Sequence, residues 1–335
     1  MRLLTVSLSG ALLVNKVPGV SSFGSIEQLQ KLMITRDGVH RKELPKLGHG
    51  GTLDPFATGV LPILTGRAVK LARYFLGATK TYRGVIRFGE TTIPGDPTDP
   101  ISETSNHLPS SIEELRALAR NLTQQPYLQT PPMHSAKKVG GRPLYELARQ
   151  GKDIERAPKL CHLHRFEILS YEKPKATFEL VCSSGTYVRT LAQDFARLLG
   201  SVAMLDKLER ATTGVFHLSH AMTLAEIESA LQSGQEWDEL KCWVPFNQLL
   251  RGYARAEASP DEAQALIHGQ QTILPQILSR MESNITEKIT PISDHAHENQ
   301  FVAIYCTQLL VAVAAKQRGA WELERVFTSP EAQQT

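Results

Sequence analysis

Residues 48–59 read GHGGTLDPFATG and place one carboxylate, Asp54, between glycines and a proline. Three of the first four residues are glycine, which lets the backbone turn tightly or approach a ligand closely. Pro55 disfavours helical geometry at Asp54 and favours an extended or turn conformation. Such a loop can aim a functional carboxylate, although a structural turn in which Asp54 only caps the backbone would give the same pattern.

The glycines of this stretch match neither of the common nucleotide-binding motifs. No G-K-[S/T] follows them, as a phosphate-binding loop would require, and the third glycine of a dinucleotide fingerprint is misplaced.

The four cysteines are widely scattered without a C-x-x-C pair, so neither disulfides nor a four-cysteine zinc site is indicated. His162 and His164 alternate near Cys161, but no second pair with ligand spacing accompanies them. We therefore expect no metal and no cofactor.

The core of the stretch, GTLDPFATG at residues 51–59, resembles the G-x-L-D-P-x-A-x-G signature of the TruB family of pseudouridine synthases. The resemblance implies that Asp54 is the catalytic nucleophile. It also implies a substrate contact at His49, whose family counterpart helps to fill the space vacated by a flipped base. The expected fold is α+β, with a mainly antiparallel central sheet flanked by helices.

Two further segments match the family in the same order. Residues 80–83, KTYR, place Tyr82 where the family has a tyrosine that stacks on the target uracil, and an aromatic face offers ~1–3 kcal/mol per base. Residues 183–191, SSGTYVRTL, place Tyr187 and Arg189 at the expected mouth of the active site. In the family this arginine pairs with the catalytic aspartate, which suits the planar donor fork of a guanidinium.

Two other matches have plain structural alternatives. Leu208, in the segment LERATTG, corresponds to a family leucine that packs against the base, but it could equally be a core residue. Residues 14–22, VNKVPGVSS, resemble the family's lysine-proline motif with the proline one place later, next to Gly19. Lys16 keeps its spacing to that glycine, so it is a candidate RNA contact, a structural contact or a surface lysine.

Residues 131–152, PPMHSAKKVGGRPLYELARQGK, hold five basic side chains and one acidic side chain. The resemblance implies a mobile insertion that closes over RNA, with Lys138 as a candidate phosphate contact. Basic side chains that neutralise phosphates add binding affinity without recognising the base sequence. A solvated charged loop is the alternative.

The remaining patterns indicate mixed strands and helices without regular βαβ alternation, which favours α+β. Alternating stretches at 80–89 and 176–182 predict strands. Capping signals at Ser111 and Thr223 predict helix starts. A helical stripe follows Tyr187 and ends at Gly200; its members are Val188, Leu191, Ala192, Phe195, Leu198 and Leu199.

The N-terminal stretch LLTVSLSGALLV, residues 3–14, has no cleavage site after it and is too short to span a bilayer. We therefore expect a buried strand there and a cytoplasmic protein. The net charge of +3 is too small to indicate a nucleic-acid partner by itself.

The composition shifts near residue 250, which divides the chain into a catalytic domain at 1–250 and a C-terminal unit at 251–335. Ser259, Pro260 and Glu262 mark a helix start, 282–300 read as a loop, and the apolar runs 301–306 and 309–315 read as a hairpin. The family often ends in a small, mostly β RNA-binding domain of the PUA type, and we expect one here.

The resemblance implies a synthase that converts uridine 55 in the T loop of tRNA to pseudouridine. The expected partner is the T-arm stem-loop, without guide RNA or membrane, bound by a monomer. A guide-dependent rRNA synthase subunit and a non-catalytic RNA-binding or RNA-folding protein are the alternatives. The basic insertion disfavours the first, and the presence of Asp54, Tyr82 and Arg189 together disfavours the second.

Overall fold

The computed structural model describes residues 8–133, 135, 138–139, 142–144, 147, 150, 154–281 and 301–327. Its main feature is a central sheet with strand order β11-β12-β4-β13-β3-β1-β15. These strands are β1 Gly10–Lys16, β3 Thr58–Thr65, β4 Lys80–Phe88, β11 Leu163–Glu172, β12 Lys175–Cys182, β13 Ala203–Thr213 and β15 Trp243–Pro245. Two short strands extend it, β2 Leu47–His49 beside β3 and β14 Phe216–His217 beside β13.

The central sheet is mainly antiparallel, which confirms the predicted α+β class. The ladder between β3 and β13 is parallel, with Thr58 opposite Glu209 and Gly59 opposite Arg210. A Cβ added to Gly59, which has a φ of +110°, would lie 2.3 Å from the carbonyl oxygen of Arg210. The last glycine of the 48–59 stretch therefore permits β13 to approach the loop that carries Asp54.

Short strand pairs and helices surround the sheet. The pairs are β5 Glu90–Thr92 with β6 Ile101–Thr104, β7 Tyr127–Gln129 with β10 Lys159–Cys161, and β8 Lys138–Val139 with β9 Arg142–Pro143. The described helices are α1 Ser22–Asp37, α2 Ala72–Gly77, α3 Ile112–Thr123, α4 Val188–Arg197, α5 Leu224–Gln232, α6 Pro260–Ile267 and α7 Leu274–Ser279. In the described part of the chain, no helix combines the length and apolar character needed to span a bilayer.

The predicted helix starts are confirmed by their caps. The side chains of Ser111, Thr223 and Ser259 each accept a hydrogen bond from the backbone N–H three residues later. The predicted stripe on α4 is wrong at Leu198, which is 61% exposed. The helix ends at Arg197, Leu198 follows it with helical backbone angles, and the chain reverses at Gly200 with a φ of +69°.

The predicted strands are confirmed with shifted bounds at the N-terminus. On β4, Tyr82, Ile86 and Phe88 are buried while Arg83 is exposed, and β12 shows the same alternation. The N-terminal strand was expected over 3–14, but its described part runs over Gly10–Lys16. It extends to Lys16, which lies opposite Gly59 in the antiparallel ladder with β3. Residues 3–7 of the prediction lie outside the described residues.

A second sheet in the C-terminal part has the order β16-β17-β18-β19, from β16 Ala254–Glu257, β17 Phe301–Cys306, β18 Leu309–Gln317 and β19 Ala320–Val326. The predicted hairpin is confirmed, and Thr307 and Gln308 form its turn with φ of 49° and 69°. Helices α6 and α7 share an apolar core with part of this second sheet. Other residues of the second sheet, including Tyr305, Leu310 and Val313, belong instead to the core of the central sheet. The predicted loop at 282–300 lies outside the described residues.

Candidate active site

The segment between β2 and β3 carries Asp54, and the buried guanidinium of Arg210 holds its backbone. Arg210 Nη2 donates to the Gly51 carbonyl at 3.0 Å and Nη1 to the Thr52 carbonyl at 3.3 Å. Its Nε donates to the Val60 carbonyl at 2.9 Å. Arg210 is 1% exposed, and burial lowers the pKa of its guanidinium from the ordinary value. Three carbonyl acceptors thus replace water around a buried cation and fix the loop on both sides of Asp54.

Lys16 also holds this loop through backbone carbonyls. Its Nζ donates to the carbonyls of Val17 at 2.9 Å, Val20 at 2.8 Å and Pro55 at 3.1 Å, and the residue is 1% exposed. Burial lowers the pKa of Lys16 to about 8, although the nearby Asp54 carboxylate raises it. Lys16 therefore makes a structural contact with buried backbone carbonyls, and an RNA contact at Lys16 stays a prediction.

Ser22, at the start of α1, ties down the residue before Asp54. Its Oγ accepts from the Leu53 N–H at 2.7 Å and donates to the Leu53 carbonyl at 3.0 Å. The Gly19 N–H donates to the Pro55 carbonyl at 2.8 Å. Consecutive peptide groups around Asp54 are therefore hydrogen-bonded to a rigid scaffold, and little backbone freedom remains to be lost when a substrate binds.

The Asp54 carboxylate itself is held by Arg189 from α4. Arg189 Nε donates to Oδ2 at 2.8 Å and Nη2 donates to Oδ1 at 3.1 Å. Nη1 donates to the Pro94 carbonyl at 2.7 Å and lies 3.4 Å from Oδ2 of Asp96. The Arg189 side chain is 3% exposed, whereas that of Asp54 is 32% exposed. The buried cation therefore lies behind a carboxylate whose other side is open.

A cavity of about 550 Å³ lies on this open side and is lined by Asp54, Tyr82, Tyr187, Leu208 and Arg210, among others. Tyr82 on β4 lies directly opposite Arg210 on β13 in the antiparallel ladder. Burial raises the pKa of Tyr82 to about 12, and the Arg210 charge opposes that rise. Tyr82 is therefore a neutral phenol at neutral pH, with its ring in the wall of the cavity.

Tyr187 is placed by Gln129, a contact that sequence patterns did not predict. The Tyr187 N–H donates to Gln129 Oε1 at 2.7 Å, and its carbonyl accepts from Gln129 Nε2 at 2.9 Å. Burial raises the pKa of the Tyr187 phenol. This backbone clamp fixes the start of α4, one residue before the turn that carries Arg189.

His49 lies at the base of the loop, and it is not among the described residues that line the cavity. Its Nδ1 accepts from the Gly51 N–H at 3.4 Å. Burial lowers the pKa of its imidazole, and the nearby Arg210 lowers it further. A neutral imidazole at neutral pH follows. A role in filling space beside a flipped base stays a prediction.

The basic insertion is described only in part. Residues 138–139 and 142–143 form the short pair β8-β9, and nothing further is described of the Lys138 and Arg142 side chains. Lys137, Arg149 and Lys152 lie outside the described residues. The phosphate contact at Lys138 therefore stays a prediction.

Sequence reasoning missed Arg210, Lys80 and Asp96. Arg210 follows Leu208 by two residues on β13, and the two-residue period of a strand could have placed both on one face. Lys80 Nζ donates to the carbonyls of Phe75, Leu76 and Ala78, which no local pattern indicates.

Among the described residues, no three His, Cys, Asp or Glu side chains group together closely enough to hold a metal ion.

Solved structures share this fold. The chain superposes on the crystal structure of a Cbf5-Nop10-Gar1 complex with a TM-score of 0.69 and 19% identity, covering 98% of this chain and 88% of that chain. An H/ACA ribonucleoprotein bound to a substrate RNA containing 2'-deoxyuridine gives a TM-score of 0.67 at 18% identity, with the same coverage. These superpositions show that the chain shares the fold of those proteins.

Sequence comparison defines the family. Residues 39–188 match the model of the TruB family pseudouridylate synthase N-terminal domain. The chain is 34% identical to a tRNA pseudouridine synthase B of Burkholderia lata over 96% of this chain and 91% of the relative. It is 40% identical to one of Thiobacillus denitrificans over 67% of this chain and 71% of the relative. The chain belongs to the TruB family and is a pseudouridine synthase, which confirms the resemblance drawn from residues 48–59.

Proposed function

We propose that this protein isomerises uridine 55 in the T loop of tRNA to pseudouridine. The observation that carries the proposal is the Asp54 carboxylate, held by two hydrogen bonds from Arg189 and open to a cavity walled by Tyr82 and Leu208. The curated relatives that cover most of the chain are named tRNA pseudouridine synthase B, which supports tRNA as the substrate.

The reaction breaks the bond between uracil N1 and ribose C1′, turns the base, and forms a bond from C1′ to C5. The C5 proton is lost and N1 gains a proton, so no oxidant, reductant or energy source is needed. The base must leave its stack before these atoms are accessible. A cavity of about 550 Å³ lies within the range of ~300–1,000 Å³ typical of ligand sites, so it can admit a flipped base.

Each wall residue has a distinct role in this proposal. Asp54 acts as the nucleophilic carboxylate, and the charge of Arg189 keeps it ionised and oriented. Tyr82 offers a ring face to the uracil, and its pKa of about 12 leaves a phenol hydroxyl that can donate a hydrogen bond. Leu208, which is 6% exposed, supplies an apolar contact to the base. Tyr187 closes the side of the cavity nearest to Arg189.

The proposal extends to the partners of the reaction. The protein acts as a monomer in the cytoplasm, on the T-arm stem-loop and without guide RNA. Residues 251–335 form a PUA-like unit that contacts RNA away from the target base. The insertion at 131–152 adds phosphate contacts through Lys138 and its basic neighbours.

The decisive experiment uses the full chain, an isolated T-arm hairpin and a regular duplex of the same sequence, in EDTA and without guide RNA or ATP. Chemical mapping of pseudouridine should show conversion of one loop uridine in the hairpin and little conversion in the duplex, whose pairing and stacking must both be broken. Asp54→Asn serves as the inactive control. An unmodified hairpin that becomes modified when a guide RNA is added would support the guide-dependent alternative. A hairpin that binds but is never modified would support the non-catalytic alternative.

A further inference from the structure

Gln129 is the last residue of β7, and its side chain reaches the residue before α4. Its Oε1 accepts from the Tyr187 N–H at 2.7 Å, and its Nε2 donates to the Tyr187 carbonyl at 2.9 Å. We propose that Gln129 is a positioning residue for the reaction, which sets the start of α4 and thereby the place of the Arg189 guanidinium against Asp54. The inference deepens the proposed function and rests on it, because it takes Asp54 to be the reacting carboxylate.

The Gln129 amide is buried, with the residue only 1% exposed. Besides its two bonds to Tyr187, its Nε2 donates to the Tyr127 hydroxyl at 3.2 Å. A buried amide is costly unless such bonds satisfy it. Glutamine offers an acceptor and a donor from one planar group, so it can bind both the N–H and the carbonyl of a single residue. An apolar side chain of the same length can do neither, which makes this position a sensitive one.

The Tyr187 carbonyl, one of the two groups that Gln129 holds, also begins helix α4. It accepts from the Leu191 N–H at 3.0 Å, which is the first hydrogen bond of the helix. Tyr187 has extended backbone angles, and within the described structure its side chain makes no capping hydrogen bond. Gln129 therefore supplies from another element the fixation that a cap would give. Because Arg189 lies in the first turn, a shift of this carbonyl moves the backbone that carries the guanidinium.

The strand β7 also holds α4 about two helical turns further on. The Tyr127 hydroxyl donates to the Asp194 carboxylate. Burial raises the pKa of Tyr127, and its hydrogen bond to Asp194 raises it further, so the phenol keeps its proton. On β10, which pairs with β7, Lys159 Nζ donates to the Ser184 carbonyl at 2.9 Å. The pair β7-β10 thus binds both the helix and the segment that leads to it.

The Arg189 guanidinium has little room to compensate for a displaced backbone. Its side chain is 3% exposed, and it donates to the Pro94 carbonyl as well as to Asp54. A shift of the helix start would therefore distort the two bonds to Asp54. Misplacing a catalytic group by about 1 Å can cost roughly 10²-fold in rate. The rate of the bound complex should thus depend on Gln129 much more than the affinity for RNA does.

The test is a double-mutant cycle on the full chain with a T-arm hairpin. Gln129→Met removes the amide at nearly constant length, Arg189→Lys removes the guanidinium fork, and a third variant combines the two. Single-turnover reactions with enzyme in excess are followed for hours, so that slow variants can be measured. Fluorescence anisotropy gives the Kd for the hairpin.

Asn247→Leu is the matched control for Gln129→Met. The Asn247 side-chain amide also holds the backbone of another element, because its Oδ1 accepts from the Leu310 N–H at 3.1 Å. Neither Asn247 nor Leu310 is among the described residues that line the cavity beside Asp54. The control therefore removes a comparable amide clamp at a place that does not position Arg189.

Gln129→Met should lower the single-turnover rate by about 10- to 100-fold and leave the Kd within about 3-fold, as expected for a residue that acts on the reaction rather than on binding. In the Arg189→Lys background the same substitution should cost less than about 3-fold, because the pair that Gln129 positions is already broken. A residue with only a structural role would lower the rate by the same factor in both backgrounds. Asn247→Leu should cost less than about 3-fold in either background.

The inference is overturned if Gln129→Met reacts at the wild-type rate, if its rate loss is the same factor in both backgrounds, or if Asn247→Leu loses as much. Should Gln129→Met fail to fold, Gln129→Asn takes its place in the cycle with the same expected factors, because its amide is one methylene too short to keep both bonds to Tyr187. Absent conversion of the hairpin by wild type rejects the proposed function. Normal conversion by wild type and by the Gln129 variant alike rejects the positioning role alone.

Discussion

Arg189 and Asp54 lie 135 residues apart in the chain, yet they form a two-pronged ion pair with N–O distances of 2.8 and 3.1 Å. The guanidinium also donates to the Pro94 carbonyl, so its plane is fixed independently of Asp54. The carboxylate is thereby oriented by a rigid group that lies behind it. Its exposed side meets the cavity, where a reacting atom has to come.

Asp54→Asn should reduce turnover below detection while RNA binding stays within about 3-fold of wild type, because the change keeps the side-chain volume and removes the nucleophilic charge. Release of tritium from RNA labelled at uridine C5 reports turnover, and fluorescence anisotropy reports binding. Turnover near the wild-type rate would exclude Asp54 from the reaction.

Arg189→Lys should lower the single-turnover rate by roughly 10²-fold or more, because lysine cannot bridge both Asp54 oxygens and so cannot orient the carboxylate. A buried charge that is left incompletely paired also destabilises the folded protein strongly. Arg197→Lys is the matched control. Arg197 ends the same helix and pairs with Asp194, but its side chain is 65% exposed. Equal rates for the two variants would show that the fork geometry at Asp54 is unimportant.

Gly59→Ala should destabilise the fold by about 1–3 kcal/mol more than Gly234→Ala. Both glycines have a φ near +100°, so backbone strain is similar in the two variants. A Cβ at Gly59 would lie 2.3 Å from the Arg210 carbonyl oxygen, whereas in the described structure no atom beyond the adjacent residues lies within 4 Å of a Cβ at Gly234. Urea unfolding measures the difference. Equal destabilisation would mean that β13 can move away from the loop at little cost.

Tyr82→Phe should leave RNA binding within about 3-fold of wild type, and Tyr82→Ala should weaken it by about 5- to 150-fold, because the ring face supplies the stacking.

The pKa of about 12 for Tyr82 in the folded protein, above the ordinary 10.0, also predicts a pH effect on stability. Below pH 10 both states keep the phenol proton, so any stability from this shift is fully present. Between pH 10 and 12 only the unfolded state loses that proton, so the stability of wild type relative to Tyr82→Phe should fall. A stability difference that stays flat through pH 12 would contradict the shift.

Replacing Lys137, Lys138 and Arg142 by alanine should weaken hairpin binding and lower the log–log salt slope by ~0.7–0.9 for each phosphate that the variant no longer binds. A triple alanine variant at the exposed residues Lys173, Lys207 and Lys241 controls for the change in net charge. If both triple variants reduce the slope equally, the insertion makes no specific phosphate contacts.

Local signals predicted the individual elements of this fold well. A serine or threonine cap depends on residues three positions apart, so Ser111, Thr223 and Ser259 could be recognised without tertiary information. The buried faces of β4 and β12 followed from their two-residue alternation. Leu198 was misplaced because the pattern continued for a few residues after the helix itself had ended, and only the reversal at Gly200 shows where that happened.

The sequence by itself determined the family, because one long motif and its ordered neighbours carry that information, and it predicted Asp54 as the nucleophile with Tyr82 and Arg189 beside it. Only the tertiary structure decided which side chains hold the loop. Lys16 reaches a carbonyl 39 residues away and Arg210 reaches one 159 residues away, through the β1-β3 and β3-β13 pairings. Both look like surface cations in a linear chain. They are buried here because backbone carbonyls, brought together by strand pairing, replace the water that a cation would otherwise require.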